Sequence, residues 1–109
     1  MKISQLESDL GYKIITKDFE DREADSGYTS DLLSDVMGNA PADSVFITIQ
    51  AHKNTIAVAT LAGVSAIVIC GNRQIPEDMI QAAKEEEIAI FQTQDNQFTA
   101  SCKIGQLLA

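Results

Sequence analysis

Three short polar clusters contain the residues of this chain best suited to chemistry. The first, Gln50-Ala51-His52-Lys53-Asn54, holds the only histidine among 109 residues; the second is Gly71-Asn72-Arg73-Gln74 and the third Thr93-Gln94-Asp95-Asn96. Lys53 and Arg73 suit the holding of a phosphate or carboxylate, because cations beside a helix N-terminus add to the partial positive charge of its free N–H groups. Solvated turn charges explain the same two residues without a ligand. His52 has an exposed-turn reading beside its functional one, and Gly71-Asn72 taken alone reads first as an ordinary turn, since it lacks the repeated glycines of a dinucleotide fingerprint or a phosphate loop. A single histidine makes no metal site alone, and neither Cys70 nor Cys102 has a companion at ligand spacing, so no metal is expected. Ser30 and Ser34 lie beside Asp31 and Asp35, but a serine nucleophile needs a base within reach and nothing in the spacing brings His52 there. Helix capping by Ser30 and solvation of the two aspartates account for them.

The clusters gain meaning from the elements that must carry them. Apolar, β-branched runs at 45–49, 66–69 and 88–91 each precede one cluster and read as strands. Helical patterns follow at about 54–62, from Pro76 onward, and at 97–108, with Gly63 as a stop signal and Glu77 and Asp78 in a first turn. Strands alternating with helices of this length imply right-handed crossovers and a mainly parallel sheet. All three clusters then fall at strand carboxyl ends, the edge where open α/β sheets bind ligands. Upstream, Ile3, Leu6 and Leu10 recur at helical spacing before Gly11, a strand is expected at 12–16, and the charged stretch 17–27 reads as an exposed loop. Ser30 is expected to cap a helix carrying Leu32, Leu33, Val36 and Met37 and ended by Gly38, while the stretch around Tyr28 is open to pairing at a sheet edge. The helix at 54–62 is apolar on nearly every side, which predicts burial against the sheet and a second surface.

Bulk properties narrow the partners. A chain of 109 residues with 45 % apolar and 22 % charged residues fits one globular domain, 1–109, and not a disordered segment. Its 8 Lys and Arg against 16 Asp and Glu give a net charge of −8, whose field repels phosphate backbones and argues against nucleic-acid binding. No run reaches the roughly 18 apolar residues of a membrane span, and the start lacks a signal-peptide core, so a cytoplasmic protein is expected with Cys70 and Cys102 as free thiols.

The segment Gly27-Tyr28-Thr29-Ser30-Asp31-Leu32-Leu33-Ser34-Asp35-Val36-Met37, the strand-helix-strand stretch from Val45 through Gly71, Pro76-Glu77-Asp78 and Ile90-Phe91-Gln92-Thr93 together resemble the DRTGG-domain family. The resemblance covers roughly residues 12–108. It implies a layered α/β fold similar to the N-terminal, non-catalytic domain of HPr kinase/phosphorylase, acting as a regulatory or dimerisation module. Family members also occur inside phosphotransacetylases and CBS-regulated pyrophosphatases, and as stand-alone proteins encoded near iron-only hydrogenase genes, some of them labelled serine kinases. The signature Asp and Arg of the family align with His52 and Lys53, its Thr with Cys70, and its glycines with Gly71 and Asn72, so of these only Gly71 is retained. Asparagine adopts left-handed backbone more readily than most residues, which makes Asn72 the mildest replacement. The kinase label has no support in the residues, because phosphoryl transfer needs a phosphate cradle and metal-binding acids in a recognisable motif.

The expectation is therefore a non-catalytic regulatory module that forms a homodimer and senses a small anionic metabolite or nucleotide. His52, Lys53, Asn54, Gly71, Asn72, Arg73 and Thr93 are the candidate ligand-binding residues, with no catalytic residue, metal or cofactor. The alternative is an adaptor for a redox, hydrogenase-type enzyme or its maturation, contacting it through the acidic loop 17–26. An enzyme using Ser30 or His52 is the third reading.

Overall fold

Near-continuous apolar runs, whose successive side chains point to opposite sides, give the sheet two buried faces. In the computed structural model, which describes residues 1–16 and 18–109, the elements in order are α1 (Gln5–Ser8), β1 (Lys13–Ile14), β2 (Ser26–Thr29), α2 (Leu33–Asn39), β3 (Ser44–Thr48), α3 (Lys53–Ala62), β4 (Ala66–Ile69), α4 (Glu77–Glu86), β5 (Ala89–Gln92) and α5 (Gln97–Leu108). They form one five-stranded sheet of order β1-β5-β4-β3-β2, in which only β1 runs antiparallel. Each of the crossovers β2-α2-β3, β3-α3-β4 and β4-α4-β5 moves one strand in the same direction. Right-handed connection therefore puts α2, α3 and α4 on a single face. There Val36, Ile56, Ala59, Met79 and Ala83 pack on Phe46, Ile67, Ile69 and Ile90. The opposite face would be bare without the ends of the chain: Ile3, just before α1, with Leu6 of α1 and Ala100 and Ile104 of α5, covers Val45, Ile47, Val68 and Phe91.

The mainly parallel α/β sheet with strand-helix-strand crossovers is as expected, and β4 and α5 have the expected bounds. Several local details differ. Residues Ser26 and Gly27, read as loop, belong to β2, a parallel edge strand registered on Ser44–Thr48 through Ser26↔Ser44; with Tyr28 as its one large apolar residue it carries no strand pattern. The strand expected at 12–16 shortens to two residues, because the ladder beyond Ile15 passes to a side chain: the Ile90 N–H donates to Thr16 Oγ1 at 2.9 Å. Ser30 does not cap α2. Its hydroxyl accepts from the Leu32 N–H at 3.2 Å in a local turn, Leu32 occupies the cap position, and the helix runs through Gly38 to Asn39. Pro76 stands just outside α4, at its cap. Helix α3 buries one side only, through Thr55, Ile56, Val58 and Ala59, and leaves Leu61 74 % exposed. The acidic loop is tied to the body: Asp21 accepts from Ser4, and Arg22 donates to the Val64 carbonyl. Lys17, which begins that loop, lies outside the described residues. Cys70 is buried and Cys102 exposed, both free.

Candidate functional site

Four parallel strands deliver their loops to one edge, and two aspartates organise that edge. Asp31, just after β2, accepts on Oδ1 from Thr48 Oγ1 at 3.1 Å, from the Ile49 N–H at 3.2 Å and from Gln97 Nε2 at 2.8 Å. Its carbonyl accepts from Gln50 Nε2 at 2.8 Å. One carboxylate thus joins the ends of β2 and β3 to the start of α5, so Asp31, exposed as the sequence suggested, is also a structural hub. Asp35 likewise accepts from Tyr28 Oη at 2.7 Å and Asn39 Nδ2 at 2.9 Å, bonds that hold its carboxyl below the usual range.

The second aspartate, Asp95, stands between β5 and α5. Its Oδ2 accepts from both Lys103 Nζ and Tyr12 Oη, each at 2.8 Å. The Lys103 bond, with that from Tyr12, holds Asp95 below the ordinary carboxylate range, while burial and then the Asp95 bond push the Tyr12 phenol far up. No described residue donates to Asp95 Oδ1. Around this cluster lies a cavity of about 310 Å³, lined by the turn residues Leu10 to Lys13 and by Asn72, the stretch Gln92 to Asp95, and Lys103. Loop chemistry fixes its floor. Gly71 and Asn72 both take left-handed backbone, at φ +73° and +53°, conformations that glycine and asparagine tolerate and β-branched residues do not. This places the Gly71 N–H on the Asp95 carbonyl and the Asn72 N–H on the Thr93 carbonyl, each at 2.8 Å, and the Asp95 N–H on Thr93 Oγ1 at 3.0 Å. Crossing of the chain from the α4 face to the α5 face makes the gap between β4 and β5 the place where their loops part.

The expected site residues divide. Asn72 and Thr93 line the 310 Å³ cavity. Gly71 shapes the adjoining turn, and the Arg73 carbonyl is held by Gln92 Nε2 at 2.6 Å. Lys53 and Asn54 line a different cavity of about 200 Å³ with Ala82, Glu85 and Glu86. His52 stands exposed at the cap of α3 without a side-chain capping bond, so the three clusters share an edge and not a single pocket. Sequence reasoning missed Tyr12, Lys13 and Lys103, which come from the turn before β1, the first residue of β1 and the middle of α5. Burial pushes the Cys70 thiol up to about 12, with the Asp95 and Asp31 charges adding to it, which makes it an unreactive group at the signature position. Among the described residues no three His, Cys, Asp or Glu side chains are arranged to hold a metal ion, and no helix is long and apolar enough to cross a membrane.

Fold and edge define a class first: an open, mainly parallel α/β domain with a polar cavity where neighbouring loops diverge. The family model of the DRTGG domain matches residues 28–107, and the chain belongs to that family. No curated protein matches it. Among solved structures, it is similar to the CBS and DRTGG domains of the regulatory region of Clostridium perfringens pyrophosphatase, crystallised with the activator diadenosine tetraphosphate. The TM-score is 0.75 at 16 % identity, over 96 % of this chain and 46 % of that one. This chain therefore spans less than half of that structure, and the likeness shows the fold.

Proposed function

We propose that this chain is a non-catalytic regulatory module whose strand-end edge binds a small ligand. The observation that carries the reading is the 310 Å³ cavity, a size within the roughly 300–1,000 Å³ of small-molecule sites, lined by charged and amide side chains from the β1 turn, both central loops and α5. Membership of the DRTGG family, and the likeness to a regulatory region crystallised with a nucleotide activator, support the same reading. Ser30 is engaged in a local turn with Leu32, and His52 makes no side-chain bond at its cap, so neither is arranged as a nucleophile with its base. A thermal-shift screen of nucleotides and phosphorylated metabolites tests the proposal. A ligand bound only by the folded state must raise the melting temperature, and no shift across the panel would overturn it.

Self-association belongs to the same proposal. Met37 on α2 and Leu61 on the neighbouring α3 are 54 % and 74 % exposed, and β2 leaves one strand edge open. These are surfaces that a second copy of the chain can cover.

A further inference from the structure

The cavity's lining specifies a ligand more narrowly than its position does. Lys13 and Lys103 are two of the chain's 8 cations, and both line this cavity. Lys103 is held on Asp95, whereas the Lys13 ammonium has no ion pair or side-chain hydrogen bond among the described residues, its backbone being paired with Gln92 in the sheet. Two ammonium groups flanking one opening attract a dianionic group, in a molecule whose net charge of −8 would otherwise repel it. The third charge has the opposite sign. Asp95 spends Oδ2 on Lys103 and Tyr12 and keeps Oδ1 free of described donors, and an ionised carboxylate oxygen beside the opening accepts from a hydroxyl. It also repels a bare anion. The Asn72 and Gln94 amides carry no side-chain bond among the described residues and offer donors and acceptors for further hydroxyls. No exposed aromatic face is present to stack a base, since Tyr12, the cavity's one aromatic residue, is only 4 % exposed.

From this arrangement we infer that the cavity binds a phosphorylated polyol of sugar-phosphate size. The phosphate sits between Lys13 and Lys103, and a hydroxyl donates to Asp95 Oδ1. This rests on the reading of the edge as a ligand site and adds the ligand's class and the groups that choose it.

Titration calorimetry on the full chain with ribose 5-phosphate, glycerol 3-phosphate, ribose, inorganic phosphate and adenosine monophosphate tests it. Saturable binding is expected for at least one of the two phosphorylated polyols and none for ribose, with inorganic phosphate weaker by about tenfold or more. Lys13→Met, at an exposed side chain with no described partner, is expected to leave the melting temperature unchanged and weaken polyol-phosphate binding by about tenfold or more. Asp95→Asn keeps an oxygen for Tyr12 but removes the charge, and it is expected to narrow the preference for polyol phosphate over inorganic phosphate. The inference is overturned if neither polyol phosphate binds, if ribose binds as well as its phosphate, or if Lys13→Met leaves affinity unchanged. Binding of adenosine monophosphate that Lys13→Met does not alter would also overturn it, while leaving the regulatory reading standing. Silence of the whole panel, together with no shift in the broader screen, would remove both.

Discussion

Asp95 takes two donors on one oxygen, and this makes it one of the residues through which acid acts on the fold. Its folded-state carboxyl lies below the ordinary range, chiefly through the Lys103 bond, so the fold favours the ionised form. The stability this contributes is fully present above the unfolded pKa of about 4 and is lost as pH falls through the depressed folded value. Lys103→Met is expected to flatten that acid loss, and chemical denaturation at a series of pH values down to about 3 checks it. A variant with the wild-type acid slope would show that the bond does not set the ionisation. Tyr12 works in the other direction: its phenol is raised, so its contribution holds below the unfolded value of about 10 and is lost as pH rises beyond it. Nothing near either residue in the sequence announces the contact, because Tyr12 and Asp95 lie 83 positions apart. Of the residues chosen from the strand-end clusters, Asn72 and Thr93 line the cavity and Gly71 shapes the turn beside it; Lys13 and Lys103 come to it only through the pairing of β1 with β5 and the position of α5 on the sheet.

At the scale of elements, punctuation decides how well each helix ends. Gly63 closes α3 at φ +74°, and Asn96 caps α5 by accepting from the Thr99 N–H at 2.9 Å, as glycine and asparagine should. Helix α4 closes with Glu87 at φ +57°, its N–H on the Ala83 and Lys84 carbonyls. A side chain there has the cost of the left-handed region, about 1 kcal/mol, and Glu85 and Glu86 add like charge at the negative helix end. Glu87→Gly is expected to stabilise the fold by about 0.5–1 kcal/mol, read as a higher urea midpoint at unchanged slope; a lower midpoint would contradict the argument. Elements with a strong local signal were legible in the sequence: β4 and β5 from their apolar runs, α3 from its apolar stretch and the Gly63 stop, and α5 from the helical pattern after the Thr93–Asn96 cluster. Strand β2 was not, because Ser26-Gly27-Tyr28-Thr29 is extended by its pairing with β3 and not by a pattern of its own. Capping by Ser30 failed for a related reason: the turn that β2 creates brings its hydroxyl to Leu32 instead.

For the whole molecule, charge and exposed apolar surface oppose each other. Sixteen carboxylates against 8 cations make two copies repel, whereas Met37, Leu61 and the open edge of β2 favour their approach. Raising ionic strength from about 0.01 to about 0.15 M shortens the screening length from about 30 to about 8 Å. Sedimentation is therefore expected to show a dimer fraction that increases with salt. A monomer at every salt concentration would remove the self-association proposal. The surface ion pairs of Lys2, Arg22 and Lys103 weaken under the same screening, but each exposed pair contributes about 1 kcal/mol or less.

The one-sided crossovers have a consequence for how the second face is covered. Because α2, α3 and α4 occupy one face, both chain ends are drawn to the other, and both finish beside β2. The Met1 ammonium donates to the Ala24 carbonyl at 2.8 Å, and the Leu108 side chain lies against Gly27. Covering of the second face thus falls to segments far apart in sequence that meet along one edge strand, so β2, which has no apolar pattern of its own, is clasped from both ends of the chain.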